Sequence, residues 1–278
     1  MSSPDQYAVI GNPIAQSKSP IIHALFAKAT GQHMEYTRVE GRIGGFAQQL
    51  DELRAAGMRG MNVTAPFKLE AFAYATHRSQ AAELAGAVNA LKFISNEVHA
   101  ENFDGVGLVN DIQRNHATLL RGKRVLLLGA GGAVRGALLP FAKAEPALLV
   151  VANRTVAKAQ ELVAMLDKQM AVSAKACSFE TLEGEFDVVV NGTSAALFDQ
   201  APAVPVSAFA PGCLAYEMAY GKGMTPFLQL ARQADKSGDV RCVDGVGMLV
   251  EQAALAFEWW RGVRPETLEA ISELTVPL

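Results

Sequence analysis

The chain has 278 residues, half of them hydrophobic and 19% charged, with a net charge of −3. That composition supplies a core for one or two globular domains, and its interspersed charges leave no electrostatic footprint for nucleic acid. No apolar run reaches membrane-spanning length, and Met1 to Gln6 lacks the basic and apolar regions of a signal peptide, so a soluble cytoplasmic protein is expected.

Tyr7 to Ile10 predicts a strand ending at Gly11-Asn12-Pro13. Pro20 to Ala29 predicts a helix, with Ser19 as N-cap and Pro20 at its favoured first position. A strand follows at Glu35 to Val39, then a helix over Phe46 to Ala56 that stops at Gly57. Gly60 to Thr64 is a third strand, broken by Pro66, and Val88 to Phe93 pairs with Val98 to Glu101 as a hairpin. A second alternating series opens near Asp104. It has a helix over Val106 to Asn115 and strands at Val125, Leu148 to Ala152, Val172 to Ala176, Phe186 to Val190, Leu214 to Met218 and Arg241 to Val243. This is the rhythm of a doubly wound parallel sheet. Beyond Asp244-Gly245, Met248 to Trp260 reads as one long amphipathic helix, with a short helix after Pro265. The expected organisation is an N-terminal α/β domain over 1–103, a Rossmann-like domain over 104–244, and C-terminal helices over 245–278 that return to the first domain.

Arg124-Val-Leu-Leu-Leu-Gly-Ala-Gly-Gly-Ala-Val-Arg135 is an apolar run that ends abruptly in glycines. Such a run is a buried strand turning into a helix N-terminus, whose bare N–H groups bind anions and whose glycines let a pyrophosphate approach. Val134 stands where the third glycine of the usual fingerprint belongs, and Gly136 is the candidate for its packing role. The glycines alone also fit a plain strand-to-helix turn. Asn153-Arg154-Thr155, closing the next apolar run, argues against that reading. An acid there would suit a free ribose 2′-hydroxyl; a guanidinium suits a 2′-phosphate, so NADP is expected over NAD.

Ligands of open α/β sheets bind beyond the strands' carboxyl ends. Polar residues gather at those ends in the first domain: Ser17-Lys18-Ser19, Asn62 to Lys68, Asn89, and Asn102-Phe103-Asp104. Taken singly, the serines could be turn and cap residues, Asn62 a structural amide, Lys68 a solvated lysine, and Asp104 a helix cap. Together they suit a small polyhydroxylated acid, with a Lys/Asp pair to move a proton. The five histidines show no ligand spacing, so no metal is expected. The three cysteines, Cys177, Cys213 and Cys242, form no paired motif and read as small hydrophobes in a reducing compartment.

Several of these segments, in this order, resemble the shikimate dehydrogenase family: residues 11–20, Asn62 to Lys68, Gly86-Ala-Val-Asn89, Asn102-x-Asp104-Gly105, 129–135, Asn153 to Thr155, Thr225 to Leu228 and Asp244 to Gln252. The resemblance implies reversible reduction of 3-dehydroshikimate to shikimate with NADPH, in the route to aromatic amino acids. It puts Ser17 and Ser19 on the substrate carboxylate and Thr64, Asn89, Asp104 and Gln252 on the substrate hydroxyls or the loops around them. Lys68 and Asp104 become the catalytic pair, and Tyr216 closes the site. Gly129, Ala130, Gly131, Gly132 and Ala133 would cradle the pyrophosphate, and Asn153, Arg154 and Thr155 would hold the 2′-phosphate. Thr193, Met218, Gly245 and Met248 would complete the cofactor site. The implied partner is a small molecule, with no nucleic acid or membrane, and the protein a monomer or homodimer.

Two positions depart from the family pattern. Phe103 stands where the family usually has threonine, and Ala90 where the Gly-Ala-Val-Asn motif usually continues into threonine. A smaller change is Glu217 for aspartate. These keep two alternatives open: a relative acting on quinate or another shikimate-like acid, and a non-catalytic NADP-binding sensor.

Overall fold

The computed structural model describes residues 3–167, 172–235 and 238–278. These divide into two compact units. The first comprises Met1–Gly107 with Val250–Ala270, the second Leu108–Leu249 with Ile271–Leu278. The three chain crossings fall inside helices, α5 (Asp104–Asn110), α9 (Val246–Arg261) and α10 (Leu268–Leu274). Val250–Ala270 thus groups with the first unit and Ile271–Leu278 with the second.

The first unit is built on a six-stranded mixed sheet. In chain order its strands are β1 (Asp5–Gly11), β2 (Met34–Glu40), β3 (Met58–Val63), β4 (His77–Arg78), β5 (Ala90–Ile94) and β6 (Glu97–Glu101). Their spatial order is β2-β1-β3-β5-β6-β4. The first three are parallel, and the β5–β6 hairpin joins them through the antiparallel pairing of β5 with β3. The register Asn62↔Ala90↔Glu101 therefore brings the end of β3, the start of β5 and the end of β6 to one edge of the sheet. Helices α1 (Ser19–Thr30), α2 (Phe46–Ala55), α3 (Lys68–Tyr74) and α4 (Gln80–Ala85) connect the strands. Neither α3 and α4 nor the short β4 is apparent from hydrophobic period, because each spans only two turns or less.

One face of this sheet packs Ile10, Met61, Val63 and Leu91 against Phe46, Leu50 and Phe67. The other face meets the end of α9, where Trp260 donates Nε1–H to the Leu91 carbonyl at 3.0 Å. A Cβ on Gly60 would come within 2.6 Å of that indole nitrogen, so only glycine admits the ring.

The second unit holds six parallel strands: β7 (Arg124–Leu128), β8 (Leu148–Ala152), β9 (Ala174–Cys177), β10 (Phe186–Asn191), β11 (Phe209–Glu217) and β12 (Arg241–Val243). They lie in the order β12-β11-β10-β7-β8-β9, the doubly wound arrangement with its switch point between β7 and β10. Alternate residues of each strand enter two cores. Val125, Leu127, Val188 and Val190 face one side; Leu126, Leu128 and Val189 face the other. Burial on both faces explains the unbroken apolar runs in the sequence. Helices α6 (Gly132–Lys143), α7 (Val156–Asp167) and α8 (Pro226–Ala234) cover the sheet, and α10 (Leu268–Leu274) closes the chain. The helix expected over 106–115 is α5 followed by a wider π-helical turn at Asp111–Asn115.

Candidate active site and cofactor cleft

The first unit gathers its polar residues where the topology predicts, at the shared edge of β3, β5 and β6. Lys68 opens α3 and Asp104 opens α5, and Lys68 Nζ donates to Asp104 Oδ2 at 2.5 Å. The pair is partly solvent-accessible, with side chains 34% and 18% exposed. Asn89 braces it. Its Nδ2 donates to Asp104 Oδ1 at 2.7 Å and to Gln252 Oε1 at 3.3 Å, while its Oδ1 accepts the Phe103 N–H at 2.9 Å. Asn102 is buried, donates to the Ala87 carbonyl and accepts the Asp104 N–H. Every side-chain polar atom of these two amides thus has a partner, as burial demands, and Asp104 is a partner of each. A Cβ on Gly107 would lie 2.7 Å from the Gln252 backbone nitrogen, so this glycine lets α5 lie close enough to bring Gln252 to Asn89.

The serines stand beyond β1. Ser19 is the first residue of α1, not its cap; the capping position is Lys18, and no side chain caps the helix. Its hydroxyl accepts from Ser17 Oγ at 3.3 Å. Tyr36 donates to Asn62 Oδ1 at 2.6 Å, and Asn62 Nδ2 donates to the Asn89 carbonyl at 3.2 Å. A hydrogen-bonded chain therefore runs from Tyr36 through Asn62 to Asn89, the residue that braces Asp104. Tyr36, missed by sequence reasoning, is its first link; burial holds its phenol well above the usual range, so it remains a donor. His23 stacks on Tyr36 at 4.0 Å and donates Nε2–H to Asn62 Oδ1 at 3.2 Å. Its buried Nδ1 has no partner, and burial lowers the ring to about 3, so it is neutral. Thr64 sits at the end of β3, partly buried, with its backbone on Ile10 and Phe67.

Phe103 turns away from these polar groups. Its ring packs with Trp259 in the cluster of Tyr7, Ala90, Ala256 and Trp260. The two departures from the family pattern, Phe103 and Ala90, therefore share one apolar cluster.

Tyr216, expected to close the substrate site, lies on β11. It is fully buried in the second unit, donates to Asp111 Oδ2 at 2.6 Å and accepts the Met248 N–H at 3.3 Å. Strand alternation points it into the core, whereas Tyr220, beyond the strand, is 42% exposed.

The second unit carries a cleft of about 530 Å3 at the β7/β10 switch point. Its lining includes Gly129, Ala130, Gly131, Asn153, Arg154 and Thr193 from the expected set, joined by Phe179, Glu180, Ser194 and Phe198, which no motif marked. Gly129 has a φ of +101°, and Gly192 opposite has Val134 so close that a Cβ would sit 2.5 Å from its methyl. A Cβ on Gly131 or Gly132 would meet no atom within 4 Å, and no side chain caps α6. The helix thus offers its first N–H groups to open space, which fits a pyrophosphate. Arg154 is exposed at the end of β8 and has no ion-pair partner among the described residues. Glu180, the acid in the lining, is held below the usual carboxylate range by bonds to Ser178 and its own backbone. Gly132 and Ala133 open α6 beside the cleft, and the Thr155 carbonyl accepts from Asn153 Nδ2 at 2.8 Å. Met218, Gly245 and Met248 lie outside the lining. Met218 and Met248 edge the core, and a Cβ on Gly245 would strike the Met218 carbonyl at 2.2 Å.

Buried Glu217 organises the loops at the ends of β10 and β11. It accepts from Asn191 Nδ2, Ala219 N–H and Thr225 Oγ1. Desolvation raises its carboxyl.

No helix among the described residues is long and apolar enough to cross a membrane. Residues 9–91 match the shikimate dehydrogenase substrate-binding domain, 111–199 the shikimate/quinate 5-dehydrogenase model, and 245–270 the shikimate 5′-dehydrogenase C-terminal domain. A shikimate dehydrogenase (NADP(+)) of Aromatoleum aromaticum is 50% identical over 272 residues, 97% of this chain and 96% of that protein. The crystal structure of an Ael1 enzyme from Pseudomonas putida is similar with a TM-score of 0.93 and 55% identity, covering 99% of each chain. A shikimate 5-dehydrogenase from Thermus thermophilus, crystallised with NADP(H) and shikimate, is 28% identical with a TM-score of 0.83, covering 97% of this chain and 99% of its own. With near-complete coverage at half identity, this chain belongs to the shikimate dehydrogenase family.

Proposed function

We infer that this protein is an NADP-dependent oxidoreductase that reversibly reduces 3-dehydroshikimate to shikimate. The observation that carries the reading is the Lys68–Asp104 pair at 2.5 Å, braced by Asn89 and Gln252. Negative charge grows on the ketone oxygen during reduction. The Lys68 ammonium offsets that charge and delivers the proton. Asp104 orients the ammonium, and Asn89 holds Asp104 in place. Ser17 and Ser19 hold the substrate carboxylate. Thr64, Asn89 and Gln252 serve the substrate hydroxyls.

NADPH supplies the hydride when bound. Gly129 to Ala133 hold its pyrophosphate, Asn153, Arg154 and Thr155 its 2′-phosphate, and Thr193, with Met218, Gly245 and Met248, the remainder. The three free thiols support a reducing, cytoplasmic setting, and burial pushes Cys213 up to about 12.

The test is the reduction of NADP+ followed spectrophotometrically, with shikimate and quinate offered separately and NAD+ in parallel. Turnover with shikimate and NADP+ is expected. Turnover with quinate alone would replace the substrate, and NADP+ binding without turnover on either acid would replace the enzyme by a sensor.

A further inference from the structure

A second constellation lies on the solvent face at the edge of the first sheet. His77, on the edge strand β4, pairs in register with His99 on β6. Their rings stack at 4.7 Å with 11° between planes. Glu97 stands two residues before His99, on the same side of β6, and its Oε2 is 2.9 Å from His99 Nε2. Val98 and Ala100, alternating with them, point the other way and are buried in the core, which fixes the outward direction of Glu97 and His99. One ligand atom from each of the three lies within 4.8 Å of the others.

The neighbouring Thr76 hydroxyl accepts the Val98 N–H at 2.8 Å and lies 3.1 Å from the Val98 carbonyl, which anchors it to β6. His77 Nδ1 is 3.0 Å from the same hydroxyl. With Nδ1 held there, Nε2 of His77 is the nitrogen open to a ligand. A backbone-anchored partner on the far nitrogen is how proteins present an imidazole to a metal. At His99, the position now bridged by a proton between Nε2 and Glu97 is the one a cation would take.

We propose that His77, His99 and Glu97 form a binding site for a divalent transition metal, with Zn2+ as the reference ion, that clamps the edge strand β4 to β6. Two imidazoles and one carboxylate select a borderline ion over Mg2+ or Ca2+, and three protein ligands leave a fourth position for water. The site stands apart from Lys68 and Asp104 and takes no part in the oxidoreductase reaction.

The test uses the full chain, free of any purification tag and stripped with a chelator. It is titrated with Zn2+ by calorimetry beside His77→Gln and His99→Gln. One equivalent is expected to bind. Each variant should bind more than about tenfold more weakly, since even loss of an outer partner costs about 10- to 100-fold. Zn2+ should raise the melting temperature of the parent and not of the variants. Absence of saturable binding, unchanged affinity in both variants, or equally tight Mg2+ binding would each overturn the proposal. Should a variant fail to fold, electron paramagnetic resonance of the parent with one equivalent of Cu2+ decides. Coupling to two imidazole nitrogens is expected; none or one overturns the site.

Discussion

Phe103 meets Trp259 edge to face, with ring centroids 5.8 Å apart and planes at 73°. The side chain that interrupts the Asn-x-Asp segment is thereby held in an apolar cluster, while its own N–H still binds Asn89. Ala90, the second departure, is fully buried in the same cluster. A small residue at one position and a large one at the other keep that volume filled. Phe103→Thr should therefore lower stability by about 1–3 kcal/mol and leave KM for shikimate unchanged. Urea unfolding and steady-state kinetics check this; a lower KM at unchanged stability would show that the ring obstructs the substrate.

Lys68 and Asp104 act as a unit. Lys68→Ala should reduce kcat by about 10²- to 10⁴-fold while NADP+ affinity, measured by calorimetry, stays at the parent value. Asp104→Asn should show a comparable loss, because an amide offers one oxygen where Lys68 and Asn89 now use two. Parent-like turnover in Lys68→Ala would remove the assigned pair.

Arg154 lies at the end of β8 with no acid paired to it among the described residues. A charge-assisted bond to a 2′-phosphate contributes about 1.5–3 kcal/mol, so Arg154→Ala should weaken NADP+ by about 10- to 150-fold and barely affect NAD+. Equal losses for the two cofactors would exclude a 2′-phosphate clamp.

His23 makes stability depend on pH. Burial depresses the folded ring to about 3, below its ordinary 6.5. Between those values the unfolded chain binds the extra proton, so stability is full above about pH 6.5 and falls as pH drops toward 3. The slope is at most about 1.4 kcal/mol per pH unit. Urea unfolding at pH 7 and pH 5 should show this loss in the parent and a smaller one in His23→Leu. An identical pH dependence in the two would mean that other groups carry it.

Tyr216 serves the second unit's core. Tyr216→Phe removes a donor from the fully buried Asp111 carboxylate. It should cost about 1–3 kcal/mol of stability and leave KM for shikimate at the parent value. A raised KM at unchanged stability would return Tyr216 to the substrate site.

The sequence by itself determined the elements long enough to carry a period. The second unit's strands were legible as unbroken apolar runs because both their faces are buried, and the turn after Leu128 because only glycine tolerates its backbone. Lys68, Asn89 and Asp104 could be singled out because they stand at strand and helix ends, where ligands of such sheets bind. What the sequence left open was side-chain direction and lateral pairing. Tyr216 and Tyr220 flank the same short segment, yet one is buried on Asp111 and the other half-exposed. Phe103 was a possible obstruction until its ring was found against Trp259. His77 and His99 have no ligand spacing, and only the β4–β6 register places them side by side. Local propensity acts along the chain; register and packing are set by residues distant in sequence, so these choices belong to the tertiary structure.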